Sequence, residues 1–524
     1  MKRQTKWKVS AAALCLALGT AACSPSVGSA SGAAASITVL MTADVPNLDP
    51  AMIPSVDSTQ LNYFLFDRLI DVDDATGKVS SNLAGEWKIE QTHARFVIKQ
   101  GITCSDGTPL TAATVAANLN RIKDPAVNSP TVTTYLGSKD YTVTVDETAN
   151  AVDITLPTPQ GFLANQLSGG PSIVCDSSLK NPDSIKSRPI GSGPYVLKET
   201  VAGDHFTLER RDGYTWGAGG ATTAEPAMPK TVVMKIVTDE NTRANLMSSG
   251  DANLTIMSGG RLNRFKTGGY TVQKLQGTSY DLVFNQRAGH PGADPAVRKA
   301  LGQAIDRKEF ASIQSEGQSE PLQGLLETGR PCVDPAATGP SIPPSDPQAA
   351  VAALTKAGWT KDGSGVLQKD GKPLALTLVA SDVNRAATEY LQKRLTDLGV
   401  QIKVDGRPSE QASGVLFAGT EWDAVVVGMT AATPTGLAFL LRGPVSPQGS
   451  NFAAVDNKEF ADLATQARTL GQQGCQMSQA AEKSLFVNSD VLPLVAVGPS
   501  VVGKGIKFDA ARNVVMPTSL RTGA

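Results

Sequence analysis

Chemistry in a protein needs histidines, thiols or carboxylates brought together, and in this 524-residue sequence such residues are spread apart. Its three histidines, His93, His205 and His290, are scattered along the chain. No H-E-x-x-H, G-x-S-x-G or P-loop run accompanies them, so the local signatures of zinc hydrolysis, an activated serine and phosphate cradling are missing. No catalytic residue, metal or cofactor is expected. The acids Asp71, Asp73 and Asp74 in DVDDATGKV (71–79) superficially suggest calcium. An EF-hand loop needs oxygens at alternating positions and a glycine at the sixth, and Ala75 and Thr76 occupy the wrong places. A solvated hairpin is the expected structure there. Four cysteines, Cys104, Cys175, Cys332 and Cys475, have no close neighbour in sequence, which favours disulfides over zinc and leaves three pairings open.

The other two cysteines belong to the N-terminus. Lys2, Arg3, Lys6 and Lys8 form a positive region, and Val9 to Leu18 is apolar. Ten helical residues span about 15 Å, half of a bilayer core, so the segment reads as a secretory signal rather than a membrane span. Thr20-Ala21-Ala22 before Cys23 resembles the bacterial lipobox, with Thr20 where leucine is preferred. The resemblance implies a signal over 1–22 that carries Cys15 away, and acylation of Cys23. Residues 23–36 are small and polar, the composition of a flexible tether. Loss of residues 1–22 removes four basic residues and takes the formal charge from −1 to −5. A mildly acidic chain without a basic stripe excludes nucleic acid as a partner. Export also suits disulfides.

The elements that would position a site interleave helix and strand. Strand patterns fall at 37–40, 95–99, 279–285 and 399–404, and residues 61–70 are apolar enough for a buried helix. Thr111 caps a helix carrying Val115, Leu119 and Ile122. Asp294-Pro295 opens another, with an apolar face running from Val297 to Phe310. Gln368–Lys372 signals a hairpin. Arg385 to Leu398 is an amphipathic helix stopped by Gly399. No repeat of 20–50 residues is present. The pattern predicts an α/β protein with mixed sheets, and the length predicts two or three domains.

Seven or more landmarks in one order resemble the solute-binding proteins of the peptide/nickel class of ABC importers. They are Leu48-Asp49-Pro50, Leu83 to Trp87, Asp106 to Ala112, Pro189 to Tyr195, Asp239 to Arg243, Val297 to Arg307, Ala357 to Trp359 and Val491 to Leu494. The resemblance, over about 37–510, implies a two-lobed, type II periplasmic-binding-protein-like fold with an extra subdomain and a hinge between lobes. Lobe I would comprise 37–57, 186–278 and 491–524, with the subdomain at 58–185, and lobe II would cover 279–490. That partition implies the pairs Cys104–Cys175 and Cys332–Cys475. It implies a monomer that captures a peptide or peptide-like solute outside the cell, anchored to the membrane by lipid, and delivers it to an ABC permease. A non-peptide solute (oligosaccharide, siderophore or another neutral ligand) and a surface receptor without transport are the alternatives.

Peptide-binding members hold the ligand's amino terminus with an aspartate in a motif resembling W-x-x-D-Y-P-D-P. Here the stretch is Met429 to Gly436, with Met429 in place of tryptophan and Thr435 in place of an aspartate. A buried ammonium without a carboxylate costs several kcal/mol, so a neutral, blocked or cyclic ligand suits the chain better. Asp44 or Glu421 would be the acids to compensate. The expected cleft-lining residues are Asp44, Tyr280, Asn285, Met429, Thr430, Thr433 and Thr435.

Overall fold

The computed structural model describes residues 36–52, 55–381, 385–418 and 421–523. The expected signal, Cys23 and all of the tether except Ser36 lie outside them. Ser36 itself begins the first strand, Ser36–Met41, rather than ending the tether.

Three sheets organise the described residues. A seven-stranded sheet has Ser36–Met41 near its middle, parallel to Thr231–Ile236 on one side and Leu254–Met257 on the other. One face of this sheet carries a core around Val39, Phe206, Met234 and Val501. The other face packs on the helix Glu240–Ser249 through Ala244 and Met247. A four-stranded antiparallel sheet, in the order Ala84–Ile89, His93–Ile98, Ala151–Thr155, Thr142–Asp146, forms a second unit. Its core receives Val115, Leu119 and Ile122 from the helix Ala112–Lys123. Thr111 caps that helix through Thr114, as its sequence predicts. A five-stranded mixed sheet forms the third unit, with Thr278–Phe284 between Ala424–Met429 and Val491–Val497.

The chain passes twice between the seven- and five-stranded sheets. Tyr270–Lys274 leads into Thr278–Phe284, and Val491–Val497 leads back into Ser500–Lys504. The crossings touch backbone to backbone: a Cβ on Gly277 would come 2.6 Å from the Gly498 nitrogen, and one on Gly498 would come 2.8 Å from the Gly277 Cα. Only glycine fits at both. The Gly277 N–H also donates to Glu327.

Several expected boundaries move. Val491–Val497 hydrogen-bonds into the five-stranded sheet, so the return placed at 491 falls at 498. The helix expected at 61–70 is Val56–Leu65, because Phe66 turns extended and Ile70–Val72 pairs with Val79–Ser81 as the predicted hairpin. Leu61, Phe64 and Leu65 pack into the core of the seven-stranded sheet rather than that of the four-stranded unit, although residues 58–65 were expected in the subdomain. Cys104 is bonded to Cys175 and Cys332 to Cys475.

Candidate functional site

A cavity of about 580 Å³ opens where the three units meet. The four-stranded unit contributes Tyr135, Phe162 and Asn165, together with Asp74 from the 71–79 turn. The five-stranded unit contributes Arg330, Thr433, Thr435, Phe439, Arg442 and Arg468. Gln276 and Arg512 stand beside the crossings. The site thus draws on every unit, and relative motion about the crossings would change its shape.

Local structure explains how these side chains are held. Thr433 is the N-cap of a short 3₁₀ helix, Pro434–Leu440, and its Oγ1 accepts from the Gly436 N–H at 3.1 Å. Thr433 and Thr435 share a hydrogen bond at 3.3 Å and are only 7% and 6% exposed. The same helix carries Phe439 to the cavity, where it stays 53% exposed. Asp74 accepts from Asn165 Nδ2 and from Arg512 Nη2, both at 3.1 Å. Arg512 donates further to the Val72 carbonyl at 2.6 Å. Arg330 donates to the Ala431 carbonyl at 2.7 Å and lies 3.8 Å from Glu327. Burial pushes the Arg330 guanidinium below its usual range, and the Glu327 charge opposes that. Burial raises the Tyr135 phenol.

The four-stranded and five-stranded units touch at the rim of this cavity. Gln91 Nε2 donates to the Thr469 carbonyl at 2.5 Å. Gly161 abuts Gly471 so closely that a Cβ on Gly161 would stand 2.5 Å from the Gly471 nitrogen.

Of the residues expected to line the cleft, the cavity brings together Thr433 and Thr435. The others lie elsewhere for identifiable reasons. Asp44 is exposed and accepts from the Gly203 N–H at 3.2 Å, over the edge of the seven-stranded sheet. Asn285 is 0% exposed, donating to the Trp422 carbonyl and accepting from the Arg287 N–H. Met429 is core, Tyr280 packs half-buried against the same core, and Thr430 is exposed outside the cavity lining. Glu421 lines a separate depression with Lys403 and Arg407. The acid that does reach the cavity, Asp74, comes from the turn read as merely solvated. The four arginines carried no local motif. Among the described residues no group of three or more histidines, cysteines or carboxylates could hold a metal ion. No helix among them is long and apolar enough to cross a membrane.

Residues 78–450 match the family described as bacterial extracellular solute-binding proteins, family 5 (middle region). That is well over half of the chain. The chain belongs to this family. Family 5 proteins serve ABC importers, so this binding protein captures a small solute for a permease and is not an enzyme. It is 26% identical to protein XP55 of Streptomyces lividans over 473 residues, 86% of this chain and 83% of that one. It is 24% identical to a glutathione-binding protein of Escherichia coli over 490 residues, 88% and 89% of the two chains. Among solved structures it resembles a substrate-binding protein from Microbacterium hydrocarbonoxydans complexed with 4-hydroxybenzoate hydrazide. That match has a TM-score of 0.64, 25% identity, and coverage of 93% of this chain and 100% of the other. As a family 5 protein it has the type II periplasmic-binding fold, with mixed and antiparallel sheets.

Proposed function

We propose that this family 5 protein takes a small, peptide-like solute into the cavity between the four- and five-stranded units and hands it to its permease while tethered to the membrane by a lipid on Cys23. The observation that carries the reading is the cavity's position. All three units line it, and two of its wall residues, Gln276 and Arg512, adjoin the crossings. A solute held there is completed by both lobes at once, which is how binding couples to hinge closure. The volume, about 580 Å³, suits a solute of one to a few residues rather than a long peptide. A glutathione-binding relative supports a peptide-like solute. The relative complexed with an aroyl hydrazide keeps a non-peptide solute as the second reading.

The test is a thermal shift of the full-length chain against linear, N-blocked and cyclic peptides, oligosaccharides and metal chelates. A ligand at 100 times its dissociation constant adds about 2.7 kcal/mol. Phe439 is more than half exposed, so Phe439→Ala leaves the fold intact and removes only cavity wall. The expected result is a shift from a peptide-like compound that weakens in this variant. A shift unaffected by it would move the binding site elsewhere. For the anchor, Cys23→Ala is expected to move the chain from the membrane fraction to the medium.

A further inference from the structure

The charges around the cavity are unevenly matched. Arg512 is served by Asp74 at 3.1 Å and by Asp71 at 3.6 Å. Arg330 is served by Glu327 and by the Ala431 and Gly277 carbonyls. Arg442 and Arg468, on the lobe II wall of the same cavity, form no ion pair with any described residue. The Arg442 Nε is shut away from solvent and donates to nothing. A buried N–H without an acceptor, such as this Nε on an otherwise part-exposed guanidinium, is a standing cost to the protein. A bound oxyanion removes it, because the planar fork of arginine meets a carboxylate with two parallel, charge-assisted bonds. Asp74, the one carboxylate among the described residues lining the cavity, accepts from Arg512 and Asn165 through Oδ1, so four guanidinium groups face a single carboxylate there. Among the amide, threonine, proline and glycine residues of the remaining wall stand three aromatic rings, Tyr135, Phe162 and Phe439.

We infer that the solute is a small carboxylate with a ring-bearing or otherwise apolar body. Its carboxylate seats against Arg442 and Arg468, and its body lies along Tyr135, Phe162 and Phe439. This rests on the reading that the cavity is the solute site, and it narrows that reading to an acid.

Matched probes separate the two. N-acetylphenylalanine and benzoate are titrated into the full-length chain beside their neutral primary amides, with inorganic phosphate as the control for any anion. The acids are expected to bind about tenfold or more tighter than the amides, the worth of one charge-assisted pair. Raising salt should narrow that gap. Arg442→Gln and Arg468→Gln should each reduce the preference, and Arg442→Lys should retain part of it. Arg468 is exposed, so its variant reports on binding even if Arg442→Gln disturbs the fold. Equal affinity for acid and amide overturns the inference, as do silence with every acid and an equal response to phosphate. If acid and amide bind equally and both weaken with Phe439→Ala, the cavity stands as the solute site and only the acid preference falls. A preference for acids that none of these variants touches overturns the site and the inference together.

Discussion

At the residue scale, several positions that carry the family resemblance turn out to build the frame rather than hold solute. Asp49 of the Leu48-Asp49-Pro50 run pairs with Arg121, tying the start of the chain to the helix Ala112–Lys123. Arg307 donates to the Pro493 and Leu322 carbonyls beneath the returning strand. One buried group makes a quantitative prediction. Glu482, on the helix Cys475–Val487, is 2% exposed; one of its oxygens accepts from the Leu325 N–H at 2.8 Å and the other has no partner. Burial raises its carboxyl to about 7 from an ordinary 4.5. Asp281, also buried without a partner, is raised well above its ordinary value by burial first and by the Glu482 charge second. Between pH 4.5 and 7 the folded chain therefore holds a proton at Glu482 that the unfolded chain has lost, so stability falls as pH rises through that window. Each pH unit of displacement corresponds to about 1.4 kcal/mol, giving about 3 kcal/mol in all. Glu482→Gln keeps an acceptor for Leu325 and removes the charge. Its melting temperature is expected to exceed the parent's at pH 8, match it near pH 4.5, and vary less between. A variant that tracks the parent at every pH would refute the account.

At the element scale, what was legible in the sequence was what local pattern determines. The helix Arg385–Leu398 appears with its expected ends, burying Ala387, Leu391, Leu395 and Leu398, and Gly399 follows at φ +112°. The apolar face expected from Val297 to Phe310 is instead shared by two helices, Pro295–Gln303 and Arg307–Gln314. The Asp306 carboxylate accepts from the Lys308 and Glu309 N–H groups and starts the second helix, a capping signal hidden inside an unbroken hydrophobic pattern. The cavity was legible only at Thr433 and Thr435, because its arginines come from four places far apart in sequence and meet through tertiary packing alone. Contact at the cavity rim was equally invisible, and it yields the second prediction. Gly161 meets the end of the helix Lys458–Leu470 and Gly471 through backbone, which cannot swing aside for a methyl group. Overpacking of this kind costs about 1–3 kcal/mol, and here the cost falls on the conformation in which the two units touch. Gly161→Ala is expected to weaken solute binding about tenfold with little change in melting temperature. Small-angle scattering should show a larger radius of gyration in the presence of solute than the parent has. Parent-like affinity and scattering would mean that rim contact is not needed for binding.

At the scale of the whole molecule, the units are stapled internally and joined through glycine. Cys104 and Cys175 both lie in the core of the four-stranded unit. Cys332 and Cys475 join two segments on the five-stranded side, with Cys475 opening the helix whose Ala481, Leu485 and Phe486 fill that core. Neither bond bridges the paired crossings at Gly277 and Gly498, so cross-linking stiffens the bodies and leaves the connection between them unconstrained. The bonds close stretches of 71 and 143 residues, for which chain-entropy reasoning gives about 4 and about 5 kcal/mol. A few degrees of melting temperature accompany each kcal/mol in domains of this size, so loss of either bond should lower melting by about 10 °C. Because one bond lies in the core of the four-stranded unit and the other on the five-stranded side, their effects should add. Replacing Cys104 and Cys175 by alanine, Cys332 and Cys475 by alanine, and all four together makes the measurement. Additive losses of stability, with solute affinity at 25 °C kept within about threefold of the parent, are expected if the bonds serve only the bodies. A pair whose removal leaves stability intact but abolishes binding would show instead that its bond sets the geometry between the units.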